Sequence, residues 1–216
     1  MIIEYHRPET VEDVLSLVSR KDPPTVVLGG GLYINEVINE PIAVVDLQGL
    51  GINGIEEKGK FLHLGATATL QSLLDVNSLS PALKKAVLHQ ETYNRRQVAT
   101  VAGSLVTAYG RSAVAGVFLA LDAELELTGK KNQVDKVLLG DFLPVRKEKL
   151  AGKVITKINL PIQVLAAYHY VARSPADLPI VAAAVAQWPS GRTRVVVMGY
   201  GDQPQMVLDG PNSAGA

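Results

Sequence analysis

The chain has 216 residues, 47% of them hydrophobic and 19% charged, with Lys+Arg and Asp+Glu equal at 21 each. That is enough apolar material for one large domain or two small ones, and a formal net charge of zero leaves no electrostatic footprint for nucleic acid or an anionic membrane. With no cysteine, the sequence excludes a disulfide framework, a thiolate zinc site, a cysteine-ligated iron–sulfur cluster and a cysteine nucleophile.

In chain order, Ile2–His6 reads as a short strand. Thr10 is a good N-cap, and Asp13 three residues on resembles a capping box. Val11, Val14, Leu15 and Val18 give that helix its apolar face, and Asp22-Pro23-Pro24 ends it. Thr25–Leu28 is a β-branched strand running into Gly29-Gly30-Gly31, so the opening is a β-α-β unit. Ala43–Leu47 is an apolar strand. Ile55–Glu57 and Phe61–Gly65 form a hairpin across Lys58-Gly59-Lys60. Leu70, Leu73 and Leu74 suggest a short helix, and Pro81–His89 another with proline in its first turn. Ala113–Leu121 is small and apolar, a buried helix. Strands follow at Ala123–Thr128, Val134–Leu139 and Val154–Leu160.

After Pro161 the character changes. Leu165–Val171, Ile180–Trp188 and Arg194–Gly199 read as three strands, with a turn at Pro189-Ser190-Gly191. Asp209–Ala216 is small and polar, and is expected to fray. A domain boundary is expected near Pro161–Gln163. Hairpins mixed with short helices make the class α+β rather than a doubly wound parallel sheet. No window approaches the roughly 18 apolar residues of a membrane span. The first residues carry no secretory signal, so a cytoplasmic location is expected.

Two stretches could hold a ligand. Gly29-Gly30-Gly31 after a strand allows close backbone approach and an anion-binding turn; a plain tight turn is the alternative. Arg96–Ser104 carries small residues, a hydroxyl pair and a glycine able to lie against a flat ligand; a buried turn before a strand or helix is the alternative. Gly49, Gly51 and Gly54 match a dinucleotide fingerprint in letters only, because a hairpin follows where a helix is required. Gly199-Tyr200-Gly201 is weaker still. His6, His63, His89 and His169 make no metal-ligand pattern. Asp122 and Glu124 read as ordinary surface or end residues, and Trp188 as packing. No acid/base pair stands out.

Taken together, the pieces resemble a family. Val26–Ile34 is followed by Val44-Val45-Asp46-Leu47, then Leu64-Gly65-Ala66 with Thr69, Arg96–Ser104, Leu121-Asp122-Ala123 and Asp141-Phe142. This order is similar to the FAD-binding subunit of molybdenum hydroxylases, the carbon monoxide dehydrogenase medium subunit and xanthine dehydrogenase group. Tyr168–Ala186 is similar to the start of that family's C-terminal flavoprotein domain.

The resemblance implies a two-part FAD-binding domain of the vanillyl-alcohol-oxidase-like type over residues 1–161, in subdomains of about 1–53 and 54–161. A shortened, β-rich flavoprotein domain over 162–216 would follow. The flavin would lie between the parts. Val27, Leu28, Gly29, Gly30, Gly31, Leu32 and Tyr33 would surround its pyrophosphate. Ala99, Thr100, Ala102, Gly103 and Ser104 would hold the other side, Ile155 would line the ring, and His169 stands where many relatives have a lysine. The implied role is electron transfer from an iron–sulfur subunit, beside a molybdopterin subunit, to an external acceptor. Metal and substrate chemistry would belong to those other chains, and this chain would be inactive alone.

The sequence also departs from the pattern. Gly31 and Leu32 replace a threonine and a following acid or serine. Ala102 and Ser104 replace a glycine and an asparagine, and Ala113 replaces an aspartate. Each lost hydrogen bond costs about 0.5–1.5 kcal/mol, so FAD is expected to be held weakly or not at all. A flavin-free scaffold of the same fold is the other reading left open.

Overall fold

The computed structural model describes residues 1–32, 34, 40–174 and 177–211. The first sheet is small and parallel. β1 (Ile2–His6), β2 (Thr25–Leu28) and β3 (Ile42–Asp46) are ordered β1-β3-β2, so the opening β-α-β pair flanks a central third strand. That position explains the composition of β3: Ile42, Ala43, Val44 and Val45 are all buried. Helix α1 (Val11–Val18) covers the sheet through Val14 and Leu15. The Thr10 hydroxyl accepts from the Asp13 amide at 3.2 Å, as expected of a cap. The reciprocal half of the box is absent, because the Asp13 carboxylate accepts a hydrogen bond from the Thr10 hydroxyl instead, at 2.6 Å.

The middle of the chain builds a five-stranded antiparallel sheet. Its strands are β4 (Ile55–Lys58), β5 (Phe61–Gly65), β6 (Glu124–Thr128), β7 (Val134–Leu138) and β8 (Val154–Pro161), in the order β4-β5-β8-β6-β7. Between β5 and β6 run five helices: α2 (Leu70–Leu74), α3 (Pro81–Gln90), α4 (Tyr93–Arg96), α5 (Val101–Val106) and α6 (Ala113–Ala120). Two short ones, α7 (Leu139–Phe142) and α8 (Arg146–Lys149), join β7 to β8. Every residue of α6 is buried, which is why its sequence shows no amphipathic period. No described helix is long and apolar enough to cross a membrane.

The last sheet is antiparallel, with β9 (Leu165–Val171), β10 (Val181–Gln187), β11 (Arg192–Met198) and β12 (Gln205–Pro211) in the order β12-β11-β10-β9. Its inner face, including Tyr168, Ala184, Val196 and Met198, shares one hydrophobic core with α3 and α6. Contact there is tight. A Cβ on Gly116 would lie 2.0 Å from the Met198 sulfur, so α6 reaches the sheet only because that position has no side chain.

Two sequence expectations need correction here. Of Asp209–Ala216, expected to fray, residues 209–211 instead complete a fourth strand, Gln205–Pro211, paired along β11, and residues 212–216 lie outside the described residues. Asp122, expected as an ordinary surface residue, is part of an ion-pair cluster that fastens this strand. Arg194, only 5% exposed in its side chain, reaches Asp122 at 2.7 Å and Asp209 at 2.6 Å. Arg192 grips Asp209 with two nitrogens, each at 2.7 Å, and Asp122 at 2.9 Å. Hydrogen bonds from Arg192, then Arg194, hold the Asp209 carboxyl well below the usual carboxylate range.

Candidate functional site

The glycine turn after β2 is fixed from the sheet side. The Tyr5 hydroxyl donates to Asp46 at 2.5 Å, Asp46 accepts from the Gln48 amide at 2.9 Å, and the Gln48 side chain donates to the Gly29 carbonyl at 2.7 Å. The turn then meets a segment some seventy residues later. A Cβ on Gly30 would lie 1.7 Å from the Val98 carbonyl oxygen, and one on Gly29 2.5 Å from the Thr100 hydroxyl. These two glycines serve the contact between loops. Gly31 differs: its φ is +72° and no atom of the described residues lies within 4 Å of its missing Cβ, so toward the described residues the turn there presents open backbone.

The second loop is held just as firmly. Arg96, buried to 9% exposure, ties α4 to the Glu91 carbonyl at 2.7 Å and to Gln71 at 3.1 Å. Ala99 accepts from the Leu70 amide at 2.8 Å, and Val101 donates to Ala68 at 2.8 Å. Ala102 donates to Ala66 at 3.4 Å, while the Thr100 hydroxyl accepts from the Gly103 amide at 3.1 Å. The Ser104 hydroxyl donates back to the Thr100 carbonyl at 3.0 Å. The first-turn amides of α5 are therefore bonded within the chain, and the loop presents mainly small apolar surface.

Between the loops lies a cleft of about 470 Å³, within the usual range for small-molecule sites. Residues 27–32 line one side and Ala99, Thr100, Ala102, Gly103 and Ser104 the other; Ile155 of β8 joins them. Twelve of the residues expected from sequence thus come together. Tyr33 lies outside the described residues. His169 does not line the cleft. Strand alternation turns it outward on β9, in register with Ala183, while its neighbour Tyr168 points into the core. Ala113, too, is buried in α6 rather than lining the cleft.

Sequence reasoning missed Leu47, Val98, Leu150, Lys153 and Val154, which also line it. Lys153 is the single charged residue among the described lining positions, and its ammonium is paired with Asp135. Leu47 closes the expected strand Ala43–Leu47, Val98 lies inside the candidate stretch Arg96–Ser104 and Val154 opens the expected strand Val154–Leu160, whereas no signal points to Leu150 or Lys153.

The family model described as the FAD binding domain in molybdopterin dehydrogenase matches residues 1–163. This chain belongs to that family. Among its relatives, the uncharacterized protein YgfM of Escherichia coli (strain K12) is 29% identical over 212 residues, which is 97% of this chain and 79% of the relative. The carbon monoxide dehydrogenase medium chain of Afipia carboxidovorans is 24% identical over 203 residues, 87% and 69% of the two chains. Two solved structures share the fold. Quinoline 2-oxidoreductase from Pseudomonas putida 86 superposes with a TM-score of 0.79 at 22% identity, over 94% of this chain and 76% of its own. Carbon monoxide dehydrogenase from Hydrogenophaga pseudoflava gives 0.82 at 19%, over 95% and 77%.

The cleft suits the family's cofactor in two respects. Open backbone at Gly31 admits close approach by a phosphate-sized group. Opposite it, Ala99, Ala102 and Gly103 let a flat ring lie near the main chain.

Proposed function

We propose that the chain is the FAD-binding, electron-transferring medium subunit of a molybdenum-hydroxylase-type oxidoreductase, working in the cytoplasm with an iron–sulfur subunit and a molybdopterin subunit. One observation carries this reading: two loops remote in sequence, the glycine turn and Ala99–Ser104, are locked together as the walls of one apolar cleft. FAD, when bound, supplies the electron-carrying chemistry, and the protein supplies position and surroundings. Gly31 and its neighbours would take the pyrophosphate on open backbone. Ala99, Ala102 and Gly103 would face the rest of the cofactor at short range, and Ile155 would lie against the ring. The apolar walls exclude water. No step on a reducing substrate is assigned to this chain, which we expect to be inactive alone.

Within this reading, residues 1–161 form a two-part FAD-binding domain of the vanillyl-alcohol-oxidase-like type, divided near 53. Residues from 162 belong to a β-rich flavoprotein domain. The reading is tested by titrating the purified chain with FAD and following quenching of flavin fluorescence, with riboflavin in parallel. Saturable binding of FAD with weaker binding of riboflavin is expected, because riboflavin lacks the phosphates and the adenine. No binding of either by the chain or by its isolated complex refutes it.

A flavin-free scaffold of the same fold is the second reading. It is favoured by the internal bonding of the α5 amides and of the Ser104 hydroxyl, which leaves few donors for a phosphate. The same titration separates the two.

A further inference from the structure

Gln48 does not line the cleft, yet it holds a peptide that does. Its side-chain amide donates to the Gly29 carbonyl at 2.7 Å. The Gly29–Gly30 peptide is trans, and in a planar trans peptide the N–H points the opposite way from the carbonyl. With the Gly29 carbonyl drawn outward to Gln48, the Gly30 N–H is turned toward the cleft that both glycines line. Among the described residues, neither the Gly30 nor the Gly31 amide has an acceptor. Such a hold matters here. A peptide flanked by two glycines meets few of the steric barriers that fix other peptides, so it can turn over and present its oxygen instead. An oxygen in that position repels an anion, whereas an N–H binds one.

Gln48 is itself fixed. Its backbone amide donates to one oxygen of the Asp46 carboxylate at 2.9 Å, and the Tyr5 hydroxyl donates to the other at 2.5 Å. That carboxylate caps the one-turn 3-10 helix Leu47–Leu50, which carries Gln48. The turn is also pressed against the chain that follows β1, because a Cβ on Gly49 would lie 2.4 Å from the Pro8 carbonyl oxygen. The bond to Asp46 pushes the Tyr5 hydroxyl above its ordinary pKa, so Tyr5 remains a donor at neutral pH. One line of hydrogen bonds thus runs from β1 through the end of β3 to the glycine turn.

We infer, on the function proposed above, that Gln48 is a positioning residue for the cofactor's pyrophosphate, set in place by Asp46 and Tyr5. It acts through the Gly29–Gly30 peptide, keeping the Gly30 N–H toward the cleft as a donor to the anion. Selectivity follows: Gln48 strengthens the binding of a flavin that carries phosphates and is indifferent to one that carries none.

The test titrates the full chain with FAD and, separately, with riboflavin, and records thermal midpoints. The variants are Gln48→Met, Gln48→Glu and Tyr5→Phe. Methionine keeps the length of the side chain without its donor, and glutamate sets an acceptor against the Gly29 carbonyl. Both Gln48 variants are expected to weaken FAD about tenfold or more, the worth of one hydrogen bond to a charged group, and to leave riboflavin affinity unchanged. Tyr5→Phe should weaken FAD by a smaller factor and also spare riboflavin. Equal loss for both flavins in the Gln48 variants marks a merely structural role and overturns the inference, and so does an unchanged FAD affinity; either leaves the proposed function standing. If neither Gln48 variant folds, Tyr5→Phe decides: a loss confined to FAD supports the positioning role, and any other result overturns it. A wild-type chain that binds neither flavin, alone or in its isolated complex, overturns the proposed function and the positioning role together.

Discussion

Gly30 and Gly31 sit side by side, yet the structure gives them opposite duties. A Cβ on Gly30 would lie 1.7 Å from the Val98 carbonyl oxygen and 2.8 Å from its carbon. Both are backbone atoms, so rotating a side chain cannot relieve the clash. The contact has to open to about 3 Å, which moves one loop by more than an ångström and spreads the cleft walls apart. Overpacking of that kind costs about 1–3 kcal/mol. At Gly31 the added Cβ meets nothing among the described residues within 4 Å, but φ is +72°, and holding alanine there costs about 1 kcal/mol. Gly30→Ala should therefore lower stability by up to ~3 kcal/mol and weaken FAD binding by at least tenfold through the wall displacement. Gly31→Ala should lose only ~1 kcal/mol of stability, and its affinity should fall less. Urea unfolding and FAD titration of the two variants measure both effects. If Gly30→Ala unfolds and binds like wild type, the loop-to-loop account of the cleft is refuted.

The ion-pair cluster predicts a pH dependence. Asp209 has its carboxyl held below the usual range by Arg192 and Arg194, so its contribution is complete above the unfolded value near 4 and is lost as pH falls further. Denaturant midpoints should drop on acidification below about pH 4, and Asp209→Asn should be less stable at pH 7 by about 1–3 kcal/mol with a shallower acid drop. At the α6 contact, Gly116→Ala should cost about 1–3 kcal/mol by pushing on Met198. Combining it with Met198→Ala should recover part of that loss relative to the sum of the single changes, a coupling a double-mutant cycle reads directly. Phe118→Ala, emptying a fully buried ring position in the same helix, should cost about 3–5 kcal/mol.

Much of the fold was legible because its signals are local. The β-branched run Thr25–Leu28 and the glycines after it, the hairpin around Gly59, and the apolar run of α6 each declare themselves within ten residues. β12 did not, because Asp209-Gly210-Pro211 has the composition of a turn. An edge strand tolerates such residues where an inner strand would not, and its pairing along β11 is reinforced by Arg192 and Arg194 on Asp209. Asp122 was invisible for the same reason, since its partners lie some seventy residues away.

The candidate site was read by family resemblance more than by residue chemistry, and the two diverge at particular points. His169 fell out because one step along β9 exchanges core for solvent. Gly30 kept its place but changed its duty, since Val98 is its neighbour only in the folded chain. Lys153 and Leu47 were missed because neither belongs to a loop with a ligand-binding composition.

The most direct measurement of the central claim is the visible absorption spectrum of the purified chain, before and after adding FAD and dialysing. The account predicts a flavin band that stays with the protein at close to one FAD per chain, and its loss in Gly30→Ala. A chain that carries no band after dialysis, alone and within its isolated complex, would contradict the account and leave the flavin-free scaffold.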